Sequence, residues 1–246
     1  MPIYGISLLI AVAVVFVLAL KSVKAYGYTY YDLLIVGAFI LMFSLPSGSL
    51  LYTVVTYSPA EIIKNLMEGN LRFFGGLVFF GALIGGIIGA MVGIRVAGLN
   101  YKNVEMAVVP YIPIGHSIGR VGCVFAGCCY GMEYEGAFAI YYKRSVAGAV
   151  PGQGYFPVQL LEACINIILC FALLKVRTIA KKRFSLLAVY LVFYATARFI
   201  LEFFRGDKIR GIYFYISTSQ WISLLLLALG SVFLVVRQLL KNHKCL

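Results

Sequence analysis

Seven runs of roughly twenty mainly apolar residues follow one another along this 246-residue chain, at about 3 to 20, 33 to 56, 76 to 94, 104 to 125, 157 to 175, 184 to 204 and 216 to 236. Runs of that length match the hydrocarbon thickness of a bilayer, where each backbone group must find its partner inside its own segment. The chain therefore reads as an all-α integral membrane protein, with residues 1–246 forming a single polytopic membrane domain. Composition agrees, at 62% hydrophobic and 12% charged residues, where soluble domains average about half and a quarter. No lysine or arginine precedes the first run, so it reads as a retained span rather than a signal peptide. In the second run, Leu45-Pro46-Ser47-Gly48 predicts a kink or partial break, because proline cannot donate to the helical ladder.

The 21 Lys and Arg outnumber the 9 Asp and Glu, and in a membrane chain that excess is read first as topology. With the N-terminus outside, twelve of the basic residues fall in inner segments and seven in outer ones, leaving Arg120 and Arg198 within spans. The expected topology is N-terminus out and C-terminus in, and no nucleic acid is needed to explain the charge. The two largest connections, about 57 to 75 and 126 to 156, then lie outside. The second carries tyrosines, glycines and mixed charge (Glu133, Glu135, Tyr141, Tyr142, Lys143, Arg144) and is expected to form a folded outer cap. Gly85, Gly89 and Gly93 recur every four residues, the spacing that lets two helices approach closely.

Charged side chains inside spans are costly and mark functional paths. Arg120 sits near the end of the fourth run, Glu162 near the start of the fifth, and Arg198, Glu202 and Arg205 near the end of the sixth, all at the outer side under this topology. Tyr194, Arg198, Glu202 and Arg205 share one helical face at i, i+4, i+8 and i+11. Gln159 and Glu162, at i and i+3 after Pro157, form a second polar stripe. Two arginines with carboxylate partners at headgroup depth suit a phosphate, which guanidinium grips with paired donors while keeping its charge. Mutual neutralisation of Arg198 and Glu202, with Arg205 snorkelling, is the plainer alternative.

The stretch IGRVGCVFAGCCYG (118–131) holds three of the six cysteines. Cys123, Cys128 and Cys129 with His116 would suffice in number for tetrahedral zinc, but C-x4-C-C departs from the C-x-x-C pairs of such sites. Adjacent cysteines form strained bridges. They read instead as small polarizable side chains packed around Arg120, with no metal and no cofactor assigned. His116, four residues before Arg120, either orients it, acts as a base or is simply structural.

Five pieces, in order, resemble the bacterial prolipoprotein diacylglyceryl transferase family: GGLVFFGALIGG (75–86), GRVGCVFAG (119–127), FPVQLLEA (156–163), YATARFILEFFRGD (194–207) and SQWISL (219–224). The resemblance implies an enzyme of the bacterial cell membrane that moves the diacylglyceryl group of phosphatidylglycerol onto the lipobox cysteine of a prolipoprotein precursor, releasing glycerol phosphate. It implies that Arg120 and Arg198 are catalytic, and His116 stands beside them as a catalytic candidate on its spacing from Arg120 alone. The same resemblance makes Arg120, Tyr194, Arg198, Glu202 and Arg205 substrate-binding, and the polar stripe of Gln159 and Glu162 and the glycines Gly119 and Gly122 beside Arg120 complete the expected substrate-binding set. This chain departs from the family pattern at several positions: Phe80 and Phe156 replace histidines, Cys123 and Ala126 replace asparagines, Cys128 replaces an acid and Ser49 replaces an arginine. A transferase with another acceptor, such as a glycan, and a binding or transport protein for an anionic lipid therefore stay open beside the lipoprotein reading. Nothing in the sequence supplies the redox pair and quinone site of a membrane thiol oxidoreductase.

Overall fold

A computed structural model describes residues 2–69, 79–206 and 212–242. The chain is mostly helical and divides into two compact units, one of Met1–Ser22 with Glu105–Leu246 and the other of Val23–Val104. Among the described residues, five helices are long and apolar enough to cross a membrane: Gly5–Tyr26, Tyr30–Thr56, Val158–Arg177, Leu186–Phe204 and Thr218–Val236. Many large apolar side chains are exposed along them, including Leu9, Val55, Ile168 and Val232. Such surfaces suit hydrocarbon and would be a liability in water.

The unit of residues 23–104 is built on α2 (Tyr30–Thr56) and α4 (Phe79–Val96), joined by the short α3 (Pro59–Met67) and residues outside the described set. Both α2 and α3 begin with a capping box: Thr29 with Asp32, and Ser58 with Glu61, each pair satisfying two otherwise orphaned backbone donors. Helix α2 continues through Pro46 without the expected break. The glycine face accounts for the packing. A Cβ at Gly81 would collide with the Ser47 carbonyl, at Gly85 with the Phe43 carbonyl and at Gly89 with the Phe39 carbonyl, while Gly93 lies against Val36. Moving along α4 thus meets α2 in reverse order, so the two helices run antiparallel with their backbones in contact.

The other unit contains α1 (Pro2–Val23), α6 (Ile112–Ala126), α7 (Val158–Arg183), α8 (Leu186–Leu201) and α9 (Thr218–Asn242), with α6 packing on α7, α7 on α8 and α8 on α9. Helix α1 is tied in where Arg177 Nη1 donates to Ser22 Oγ at 2.9 Å. The fourth expected span is not one helix. It is α5 (Tyr101–Val108), a 3-10 turn at Val109–Tyr111 and α6, because Pro110 and Pro113 each remove a backbone donor at the junction. The third expected span begins outside the described residues, and its described apolar part, Gly81–Val96, is shorter than the other five. Buried Glu105, which sequence reasoning passed over, accepts hydrogen bonds from the Ser185 hydroxyl and from Leu187 N at 2.9 Å, occupying the N-terminus of α8.

The segment expected to be a cap is folded. Gly127, at φ 66°, ends α6, and β1 (Ile140–Tyr141) pairs antiparallel with β2 (Gly154–Tyr155) around a core of Tyr130, Tyr142, Ala149 and Tyr155. Ser145 accepts from Ala147 N and Ala149 N while donating to the Gly127 carbonyl at 2.5 Å. The cap is stitched to the end of α8: Met132 N donates to Phe204 O at 2.8 Å and Gly206 N to Tyr130 O at 3.1 Å. Gly131 and Gly206 lie so close that a Cβ on Gly206 would strike the Gly131 carbonyl. A second hairpin, β3 (Ile212–Tyr213) with β4 (Ile216–Ser217), leads into α9.

Candidate active site

The polar residues singled out in the sequence converge within the larger unit. Arg120 projects from α6, and its Nε lies 3.0 Å from Glu162 Oε1 on α7. That carboxylate oxygen accepts no well-directed hydrogen bond, so the contact is a simple ion pair. On α8, Arg198 Nη2 sits 2.8 Å from Glu202 Oε2 and donates to Ser219 Oγ of α9 at 3.1 Å. Arg205 Nη1 approaches the same Glu202 oxygen at 3.4 Å. One buried carboxylate thus holds two guanidiniums, which fixes their positions and leaves positive charge in excess.

The helical stripe predicted for Tyr194, Arg198, Glu202 and Arg205 holds only in part. Helix α8 ends at Leu201 and tightens into a 3-10 turn over Glu202–Phe204, so Arg205 leaves the helix on extended backbone. The cap causes this: Gly131 pairs with Arg205, and the strand-like contact fixes Arg205 beside the start of the cap. Tyr194 lies within electrostatic reach of both arginine groups, near Arg120, Glu162 and Arg198.

His116 is held by Tyr190, whose hydroxyl lies 2.8 Å from Nδ1, and by Tyr194, whose ring centroid is 5.0 Å away. Tyr190 and Tyr194 stack at 5.7 Å. Gln159 is fully buried and donates from Nε2 both to the Cys128 carbonyl at 3.0 Å and to the Tyr142 hydroxyl at 2.8 Å. Burial pushes the Tyr142 phenol up from its ordinary range, keeping it a neutral acceptor for this bond. Gly119 is half-buried, yet a Cβ there would meet nothing within 4 Å. Gly122 is buried. Open space therefore lies against α6 immediately beside Arg120.

Three site neighbours were missed in the sequence. Tyr190 stands one helical turn before Tyr194, Ser219 lies inside SQWISL, and Asn166 continues the Gln159–Glu162 face at i+7, its amide donating to the Glu162 carbonyl at 2.8 Å. Each spacing was visible, but nothing local distinguishes a site serine or asparagine from a helix-packing one. Among the described residues, four buried polar atoms have no hydrogen-bond partner: Arg198 Nη1, Gln159 Oε1, Asn166 Oδ1 and Glu162 Oε1, the last of them ion-paired with Arg120. Unpaired buried groups of this kind are rare in folded proteins and call for a ligand or water. Arg120 keeps 21% of its side chain accessible and Arg198 only 9%, so Arg120 is the more open and Arg198 the more desolvated of the two cations.

Arginines on separate helices, each paired with a buried carboxylate in a unit of long apolar helices, define the class: a membrane-type helical protein with a cluster of buried ion pairs. A family model described as Prolipoprotein diacylglyceryl transferase matches residues 1–236, and the chain belongs to that family. It is similar to phosphatidylglycerol-prolipoprotein diacylglyceryl transferases of Clostridium tetani (31% identical, covering 94% of this chain and 91% of the relative), Clostridium perfringens (29%, covering 98% and 92%) and Dehalococcoides mccartyi (30%, covering 96% and 88%).

Proposed function

We propose that this chain is a phosphatidylglycerol-dependent diacylglyceryl transferase whose reaction takes place at the Arg120–Arg198 cluster. The acceptor is the cysteine thiol of a prolipoprotein. Its sulfur attacks the glyceryl carbon that carries the phosphodiester, an S–C bond forms, the C–O bond breaks and glycerol phosphate leaves with the electron pair. The demand on the enzyme is to stabilise negative charge building on a phosphate oxygen in a site with little water. Family membership and the geometry support the same reading.

The observation that carries it is Arg198: a buried guanidinium that is ion-paired through Nη2 while Nη1 has no hydrogen-bond partner among the described residues. A permanent cation with a spare buried donor is prepared for a second anionic acceptor. Arg120, more accessible and next to the open space at Gly119, grips the headgroup. Glu162 and Glu202 hold the two cations in place with Tyr194 beside them, Gln159 fixes the turn at Cys128 next to the site, Arg205 adds a third positive group, and the buried Gly122 keeps α6 slim at this level. His116, with Nδ1 engaged by Tyr190, takes the thiol proton on its other ring nitrogen. The protein resides in the bacterial plasma membrane with seven membrane segments, the N-terminus out, and the cap and the arginine cluster on the outer side.

The test uses the full-length protein in detergent with phosphatidylglycerol and a lipobox peptide, following glycerol phosphate release. Arg120→Ala and Arg198→Ala are expected to lower the rate by about two to three orders of magnitude, the usual cost of removing one charge-stabilising donor. A folded preparation that releases no glycerol phosphate would sink the reading. Full activity in either variant would remove that arginine from the site.

A further inference from the structure

Beside the arginines, the sulfurs of Cys123, Cys128 and Cys129 all lie within 4.8 Å of one another. The arrangement is built rather than incidental. Cys123 is on the last turn of α6, the helix ends at Gly127 in the left-handed conformation, and Cys129 also has a positive φ of 55°. That conformation is uncommon for a residue with a side chain, and it turns the chain back so that three cysteines from a seven-residue stretch face one point. Gln159 clamps the turn through the Cys128 carbonyl. His116, the fourth ligand candidate in the sequence, is not in the group; its Nδ1 is taken by Tyr190.

We propose that Cys123, Cys128 and Cys129 form a three-thiolate site for zinc whose fourth position receives the acceptor thiol. The proposal rests on the transferase reading above and supplies a chemical step to it. Zinc–sulfur bonds of about 2.3 Å in tetrahedral geometry place the sulfurs about 3.8 Å apart, so sulfurs already within 4.8 Å of one another need to draw in by no more than about 1 Å to close around an ion. Soft thiolates favour this class of d10 metal over oxygen-seeking cations. Three protein ligands with an open fourth corner are the pattern of catalytic rather than structural zinc. Cys123 is buried while Cys128 and Cys129 are partly exposed, leaving an open side to the cluster.

Charge favours the step as well. Zinc with three thiolates is a monoanion, and with a fourth thiolate a dianion. The guanidiniums of Arg120 and Arg205 lie within electrostatic reach of Cys129 and offset that charge. When the acceptor thiol coordinates, its proton passes to His116 and on to water. The zinc-bound sulfur then forms its bond to the glyceryl carbon as the C–O bond to phosphate breaks, and the resulting thioether, a weak ligand, leaves the metal. The step needs no oxidant or reductant.

The experiment measures metal directly. Full-length protein purified under reducing conditions with zinc present is expected to retain about one zinc per chain after dialysis, and Cys164→Ser is expected to keep it. Cys128→Ser and Cys129→Ser, two partly exposed positions, are expected to lose it while matching the thermal transition of the zinc-stripped parent. Exchange of cadmium for zinc is expected to give the ultraviolet charge-transfer band of cadmium thiolate, scaled to three sulfurs. That band is expected to grow by about one third on adding a cysteine lipobox peptide and to stay unchanged with the serine peptide. Zinc content equal in the parent and the two serine variants would overturn the site. A cadmium band indifferent to the cysteine peptide would overturn the thiol step. Both readouts are independent of glycerol phosphate release, so failure here and failure of the transferase reading are separately visible.

Discussion

At the scale of single residues, the site is defined by groups whose burial makes their pairing matter. Glu162 and Glu202 each hold an arginine in a place where an unpaired charge would cost several kcal/mol. The most informative single residue is Gly119. Alanine there meets nothing within 4 Å and is a better helix former by about 1 kcal/mol, so Gly119→Ala should leave thermal stability equal or slightly higher. If the space beside Arg120 receives the lipid headgroup, the same methyl group should reduce phosphatidylglycerol turnover by about tenfold or more. Unchanged kinetics would show that the headgroup lies elsewhere. The residues of this site were largely legible in the sequence, because charges inside apolar runs have few reasons to exist. Their pairing was not: the Arg120–Glu162 contact joins residues on different helices, and no local pattern reports it.

At the scale of elements, close contact of backbones does what side-chain interdigitation does elsewhere. Gly81, Gly85 and Gly89 press on the carbonyls of Ser47, Phe43 and Phe39, whereas Gly86, one residue over, has only ordinary contacts with Ile40 and Ser44 at 3.7 and 3.8 Å. Gly89→Ala should therefore destabilise the α2–α4 pair by about 1–3 kcal/mol, the usual cost of overpacking, and Gly86→Ala should be near neutral. Thermal denaturation of the two variants in the same detergent checks this, and equal transition temperatures would contradict the packing. Other element boundaries follow from turn and cap chemistry that is readable locally, as at Thr29–Asp32 and Ser58–Glu61. The break between α5 and α6 was also written in Pro110 and Pro113, but hydropathy alone runs across it. Conversely, Pro46 suggested a break that α2 does not make.

At the scale of the whole molecule, the proposed topology makes a simple demand. A cytoplasm-dependent fluorescent protein joined after Leu246 should fluoresce, and alkaline phosphatase joined after Gly152, at the tip of the cap, should be active because it is exported. A dark first fusion with an inactive second would reverse the orientation and place the arginine cluster on the wrong side for an outer-leaflet reaction. The cap matters to the site for a structural reason: its first residues, Tyr130 and Met132, hydrogen-bond with Gly206 and Phe204 and so set Arg205 beside the cysteine turn.

The sequence by itself determined that the chain is helical and apolar, which polar residues interrupt that pattern and which family they belong to, because hydropathy and motif spacing are properties of neighbours along the chain. Only the tertiary structure decided which arginine meets which carboxylate, that Arg198 keeps a buried donor unpaired among the described residues, and that three cysteines converge at one point. Those facts depend on helix packing and on a left-handed turn stitched to a distant segment. Distances between separate helices leave no periodic mark in the sequence.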